Sequence, residues 1–136
     1  HEFLRAITIY DRIISDDPQG YVFAKRGYAK FEIGNFVGAV SDFNFAISLK
    51  PDSPVTLRFR AKSKEALGEL SGALEDYRSS LVHSKRADTH RDIAMILEYQ
   101  GKAEAAITEY RAALELDPSD EVSLSNIEAL IARRRK

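Results

Sequence analysis

Apolar and polar positions alternate along this chain in a pattern that returns every 33 or 34 residues, so the repeat is longer than any single helix or strand. Aliphatic side chains recur at Ile7, Val40, Leu74 and Ile107, and again at Ile14, Ile47, Leu81 and Leu114. Between them lie the aromatics Tyr10, Phe43, Tyr77 and Tyr110, each preceded one turn earlier by Ala6, Ala39, Ala73 or Ala106. Gly34, Gly68 and Gly101 precede the last three alanines by five residues. Pro18, Pro51 and Pro118 mark where helices stop, and Lys85 holds the corresponding slot of the middle unit. Each unit therefore reads as helix, glycine turn, helix, proline-marked turn. A fixed period of this length indicates stacked supersecondary units, each burying its apolar face against its neighbours.

The residues Phe23, Arg26-Gly27, Gly34-Asn35-Phe36, Ala39, Phe43, Ala46 and Pro51 resemble the tetratricopeptide repeat (TPR) family. The resemblance covers nearly the whole chain, as repeats at 20–53, 54–86 and 87–120, a preceding half-repeat at 3–19 and a capping helix at 121–136. It implies an all-α fold, a right-handed α-α superhelix of about eight antiparallel helices. The half-repeat matches only the second helix of a unit, so a fragment of a larger protein is expected. The capping helix has its apolar residues at Val122, Leu124, Ile127, Leu130 and Ile131 and ends in Arg133-Arg134-Arg135-Lys136, cations that favour a helix C-terminus.

Spacing also predicts packing. Gly27, Ala61 and Ala94 on first helices, with Ala39, Ala73 and Ala106 on second helices, allow close approach beside Phe43, Tyr77 and Tyr110. Arg26 and Arg60 occupy equivalent first-helix slots, and the same two repeats carry Asp42 and Asp76 at equivalent second-helix slots. The third has Ile93 and Glu109 instead. Two buried ion pairs, Arg26 with Asp42 and Arg60 with Asp76, are therefore expected.

Composition narrows the function. The chain has 136 residues, 44% hydrophobic and 30% charged, with net charge -1 and no cysteine. It carries no disulfide framework, thiolate nucleophile or cysteine metal site, and its charge gives no overall attraction to nucleic acid. No apolar run approaches the roughly 18 residues of a membrane span. There is no phosphate loop, nucleophile elbow or pair of histidines at ligand spacing, since His1, His83 and His90 are scattered. The reading is a non-enzyme without cofactor or metal.

The resemblance implies that a peptide or helix of a partner protein lies in the concave groove lined by the first helices. Helical projection puts Tyr21, Tyr28 and Phe31 on that face in the first repeat, Arg58 and Lys62 in the second, and Arg91, Met95 and Tyr99 in the third. Arg58 and Lys62 are one turn apart and suit an acidic ligand. The family's carboxylate clamp for chaperone tails is not matched, because its places carry Ala24 and Tyr28, then Phe59, then Asp88 and Asp92. The alternative reading is self-association through the N-terminal helix, by way of Leu4, Ile7 and Ile14. RNA binding ranks third, since Arg58, Arg60, Lys62 and Lys64 divide between helix faces and form no basic stripe.

Overall fold

The computed structural model describes residues 1–136 and contains eight helices and no strand. In chain order these are α1 (Glu2–Asp16), α2 (Gly20–Glu32), α3 (Phe36–Leu49), α4 (Pro54–Ala66), α5 (Leu70–His83), α6 (Ala87–Tyr99), α7 (Ala103–Leu116) and α8 (Glu121–Arg134). They group into two compact units, His1–His83 and Ser84–Lys136.

The glycine turns have a specific cause. Gly34, Gly68 and Gly101 have φ of +79°, +79° and +76°, in the left-handed region where a Cβ is penalised. Each closes its first helix in the same way. The Asn35 N–H donates to the Lys30 carbonyl at 2.8 Å, that of Glu69 to Lys64 at 2.8 Å and that of Lys102 to Leu97 at 2.9 Å. These bonds satisfy carbonyls that the helix end would otherwise strand. Three helix starts are fixed by side chains: Asn35 caps α3 through the Gly38 N–H, Ser53 caps α4 ahead of Pro54, and Asp120 caps α8.

In the first unit, α2 pairs with α3 and α4 with α5, while α1 packs on α2 and α3 on α4. The small residues stand where close approach requires them. A Cβ on Gly27 would come within 2.8 Å of the Phe43 ring. Ala39, Ala61, Ala73 and Tyr77 are fully buried. Helix α1 contributes no buried residue; Ala6, Ile7, Tyr10 and Ile14 are half-buried, and Leu4, Ile9 and Ile13 are exposed. In the second unit α6 pairs with α7, and α8 packs on α7. Ile93, Ala94, Ala106, Tyr110 and Ala113 are fully enclosed there. Of the expected apolar face of α8, Ile127 and Leu130 are buried and Ile131 is half-buried, whereas Val122 and Leu124 are exposed.

Both expected ion pairs form. Arg26 donates from Nε and Nη2 to the Asp42 carboxylate at 2.9 and 2.7 Å, and Arg60 donates likewise to Asp76 at 2.8 and 2.7 Å. The third arginine nitrogen reaches the preceding second helix, at Asp11 for Arg26 (2.8 Å) and Asn44 for Arg60 (3.0 Å). Lys30 and Lys64 approach the same aspartates at 3.1 and 3.0 Å. Each arginine thus fastens its own repeat and the one before it. In the third repeat Glu109 turns to His90 Nδ1 at 2.7 Å, and Ile93 fills the arginine slot.

Candidate protein-interaction surface

In the first unit, α2 and α4 lie side by side and carry an aromatic cluster on their shared face. Phe59 is its hub. Its ring meets Tyr28 edge-on at 4.9 Å and Phe31 at 5.4 Å, and Phe31 in turn meets Phe36 at 5.6 Å. Edge-to-face geometry at these separations is favourable beyond simple area burial. Tyr28 remains 40% exposed and also meets Phe3 at 6.3 Å. An apolar cleft of about 290 Å³ opens here, lined by Tyr10, Ala24, Lys25, Tyr28, Val55 and Phe59 among others. A second, of about 330 Å³, adjoins it through Ala24, Lys25 and Val55 and extends past Tyr21 to Leu49 and Lys50. Tyr21 is exposed, and the Lys25 ammonium stands 5.9 Å from its ring centre.

Arg58 borders this cluster, with its guanidinium 5.9 Å from the Phe59 ring centre. Its Nε is buried and makes no hydrogen bond. The other arginines on first helices are all held by carboxylates: Arg26 by Asp42, Arg60 by Asp76 and Arg91 by Asp120. Arg58 has stacking as its visible support. A buried N–H donor without an acceptor is costly, so this guanidinium lacks the compensation that the other three have. Lys62 is half-buried and engaged by neighbouring groups.

In the second unit, Met95 and Tyr99 are exposed on α6. Arg91 is committed elsewhere, since its Nη1 donates to Asp120 Oδ1 at 3.0 Å. Asp120 also accepts the Ser123 N–H at 3.2 Å and the Ser123 hydroxyl at 2.7 Å. Burial pushes the Asp120 carboxyl up, but the two Ser123 bonds and the Arg91 guanidinium outweigh it and hold it below the usual carboxylate range. Tyr110 donates to Glu98 at 3.0 Å and accepts from Asn126 Nδ2 at 2.9 Å. Burial is the main reason its hydroxyl is pushed up to about 12, with Asn126 opposing and Glu98 reinforcing the shift. At the basic end, Arg133 approaches Glu98 and Arg134 pairs with Glu104.

Four groups were not anticipated from sequence. Phe59 breaks the repeat equivalence, standing where Lys25 and Asp92 stand in the other units, and that break was its signal. Lys30 and Lys64 recur four residues after Arg26 and Arg60, a regularity that places them on the same aspartates. Asp11 and Asn44 share one slot, directly after Tyr10 and Phe43, but Arg78 and Arg111 hold it in the later units and break the series. Asp120, three residues before Ser123, has the spacing of a helix cap.

A model of the tetratricopeptide repeat matches residues 87–120, the same bounds as the third unit of the sequence period. Residues 87–120 are a tetratricopeptide repeat, and the chain as a whole shares the fold of such repeats. A small glutamine-rich tetratricopeptide repeat-containing protein 2 from Mycosarcoma maydis is 28% identical over 89 residues, which is 65% of this chain and 25% of that protein. The chain therefore spans about a quarter of that relative's length. Among solved structures, MamA is similar with a TM-score of 0.93 at 17% identity, over 97% of this chain and 78% of that one. The first TPR of Spaghetti (RPAP3), bound to the HSP90 peptide SRMEEVD, gives 0.78 at 18% identity over 86% and 94% of the two chains. At these identities the likeness shows the fold, an all-α tetratricopeptide solenoid. This fold supports a role as a protein-protein interaction scaffold.

Proposed function

We propose that this TPR chain is a non-catalytic scaffold that holds a short segment of a partner protein against the first-helix face of α2 and α4. The observation that carries the reading is Arg58, an arginine whose buried Nε makes no hydrogen bond and whose guanidinium stands against Phe59, the ring that lines the open apolar cleft. The segment that suits this face presents an apolar side chain to Tyr28, Val55 and Phe59 and an acidic group to Arg58. Tyr21 and Phe31 extend the apolar surface, and Lys62 adds positive charge one turn along. On the second unit, Met95 and Tyr99 offer exposed apolar area, and Arg91 serves mainly to hold Asp120.

The HSP90 peptide seen on the Spaghetti domain is a poor model for this ligand. Ala24 and Tyr28 stand here where the carboxylate clamp needs Lys and Asn, and Phe59 where it needs a further Asn. The peptide SRMEEVD is expected not to bind with useful affinity. Self-association through α1 is the weaker reading, because Ile7 and Ile14 are half-buried and only Leu4 of that trio is exposed. Selection from a random peptide library on the immobilised chain tests the proposal. Enriched sequences should pair an acidic residue with a bulky apolar one, and Arg58→Glu should abolish their enrichment. Equal enrichment on both proteins would refute it.

A further inference from the structure

The two adjoining clefts on the face of α2 and α4 differ in shape and share one sign of charge. The first has the aromatic walls Tyr28 and Phe59. The second is built from α2, α3, α4 and the turn between the last two, all within complete repeats: Gly20, Ala24 and Ala46 are its small residues, and Tyr21, Leu49 and Val55 stand around it, each more than half exposed. No aspartate or glutamate lines either cleft. Lys25 lines both and Lys50 lines the second; both lysines are exposed, and neither is held by a carboxylate of the chain. The cations beside them are committed, Arg26 and Lys30 to Asp42, Arg60 and Lys64 to Asp76. On the reading of α2 and α4 as the binding face, on which this rests, we propose that the ligand is an extended segment of a partner protein whose sequence reads aromatic, acidic, aliphatic, acidic, with the aromatic side chain in the first cleft and the aliphatic one in the second.

The spacing follows from the helix. Both clefts include Ala24 and Lys25; the first adds Tyr28 one turn further along α2, the second Tyr21 one turn back. Their centres therefore lie about one turn apart, roughly 5–7 Å. An extended chain sets alternate side chains on one face about 6.6–6.8 Å apart, so two residues separated by one reach both clefts. The residues between them point away from the floor and toward the mouth, where flexible lysine stems hold their ammonium groups. Lys25, at the junction, meets the acid between the two anchors, and Lys50 meets the acid after the aliphatic one. At the opposite end Glu32 faces the Tyr28 hydroxyl, and its charge is the main reason that hydroxyl is held above its usual range, so an acid ahead of the aromatic residue is disfavoured. The rings of Tyr28 and Phe59 offer an incoming aromatic side chain edge-to-face contact, while Leu49, Val55 and the small residues beside them fit an aliphatic one.

The probe is the peptide Gly-Phe-Glu-Leu-Glu-Gly, with fluorescein at its N-terminus and an amide at its C-terminus, followed by fluorescence anisotropy on the full chain. Replacing its leucine by alanine, or Leu49→Asp in the chain, should each weaken binding about fivefold or more, and the alanine peptide should lose little further on the Leu49→Asp chain. Lys25→Glu should weaken the parent peptide about fivefold, whereas the version with both glutamates replaced by glutamine should be indifferent to that change. Leu49 and Lys25 are exposed, so both variants should melt close to the parent. Should Leu49→Asp melt lower, the peptide substitutions and Lys25→Glu still decide the outcome. Binding that Arg58→Glu abolishes but that neither Leu49→Asp nor Lys25→Glu alters overturns the motif and leaves the binding face standing. Failure of this peptide to bind while library-selected peptides do so has the same meaning. If no selected peptide responds to Arg58→Glu, the binding face itself falls and the motif with it.

Discussion

The aspartate at the centre of each arginine cluster is the most consequential polar atom group in the first unit, and Asp76→Ala measures its worth. The Asp76 side chain is 6% exposed and accepts two bonds from Arg60, at 2.8 and 2.7 Å, with the Lys64 ammonium at 3.0 Å. Truncation leaves two cations one turn apart on α4, each 18% exposed, facing each other without their shared anion. Breaking a buried pair costs about 3–5 kcal/mol. Water reaches Arg60 and Lys64, and Arg60 keeps Asn44 at 3.0 Å, so the low end applies, about 3 kcal/mol. Arg60→Met should cost less, about 1–2 kcal/mol, because Lys64 still neutralises Asp76. The double variant should cost clearly less than the sum, with a coupling of about 1–2 kcal/mol. Urea unfolding followed by far-ultraviolet circular dichroism gives all three values. Two single variants that each lie within about 0.5 kcal/mol of the parent, or costs that add within that margin, would refute the assignment.

Ala73 is fully enclosed, so Ala73→Leu should lose about 1–3 kcal/mol through overpacking against α4, read as a lower urea midpoint. Asp120 has a folded pKa below the ordinary carboxylate value, so its contribution is complete above about pH 4 and lost as pH falls through and below that value. Asp120→Asn should therefore flatten the loss of stability between about pH 4 and 2, and an unchanged acid limb would contradict the cap and the Arg91 pairing. Tyr110, pushed up to about 12, should ionise later than an ordinary tyrosine in an ultraviolet titration, and the stability tied to its neutral form should fade between about pH 10 and 12. Glu98→Gln should bring that late phase to lower pH.

Much of the fold was legible because its causes are local and recur. A glycine at φ near +79° has few substitutes, so Gly34, Gly68 and Gly101 announce the turns by identity alone. Ala39, Ala73 and Ala106 do the same for close helix contact. Comparing repeats even located the buried pairs, since Arg26 and Arg60 co-occur with Asp42 and Asp76 while Ile93 does not. The interaction surface was less legible, because it depends on departures from the period. Phe59 organises the aromatic face, yet its slot is lysine in one repeat and aspartate in another. Arg58 and Arg91 occupy one slot and have opposite fates, which depends on whether an aspartate such as Asp120 arrives from a helix about 30 residues later in the chain. The two faces of α1 separate for the same reason. Ile7 and Ile14 are half-buried, while Ile9 and Ile13 lie on the face that a first helix covers in the other repeats.

The central claim, that α2 and α4 present the binding face, is tested most directly by mapping a library-selected peptide onto the isotope-labelled chain by nuclear magnetic resonance. The account predicts shifts concentrated on Ala24, Tyr28, Val55, Arg58 and Phe59, with intermolecular contacts from the peptide's apolar side chain to the rings of Tyr28 and Phe59. Shifts confined to α3 and α5, with the aromatic cluster unmoved, would contradict it.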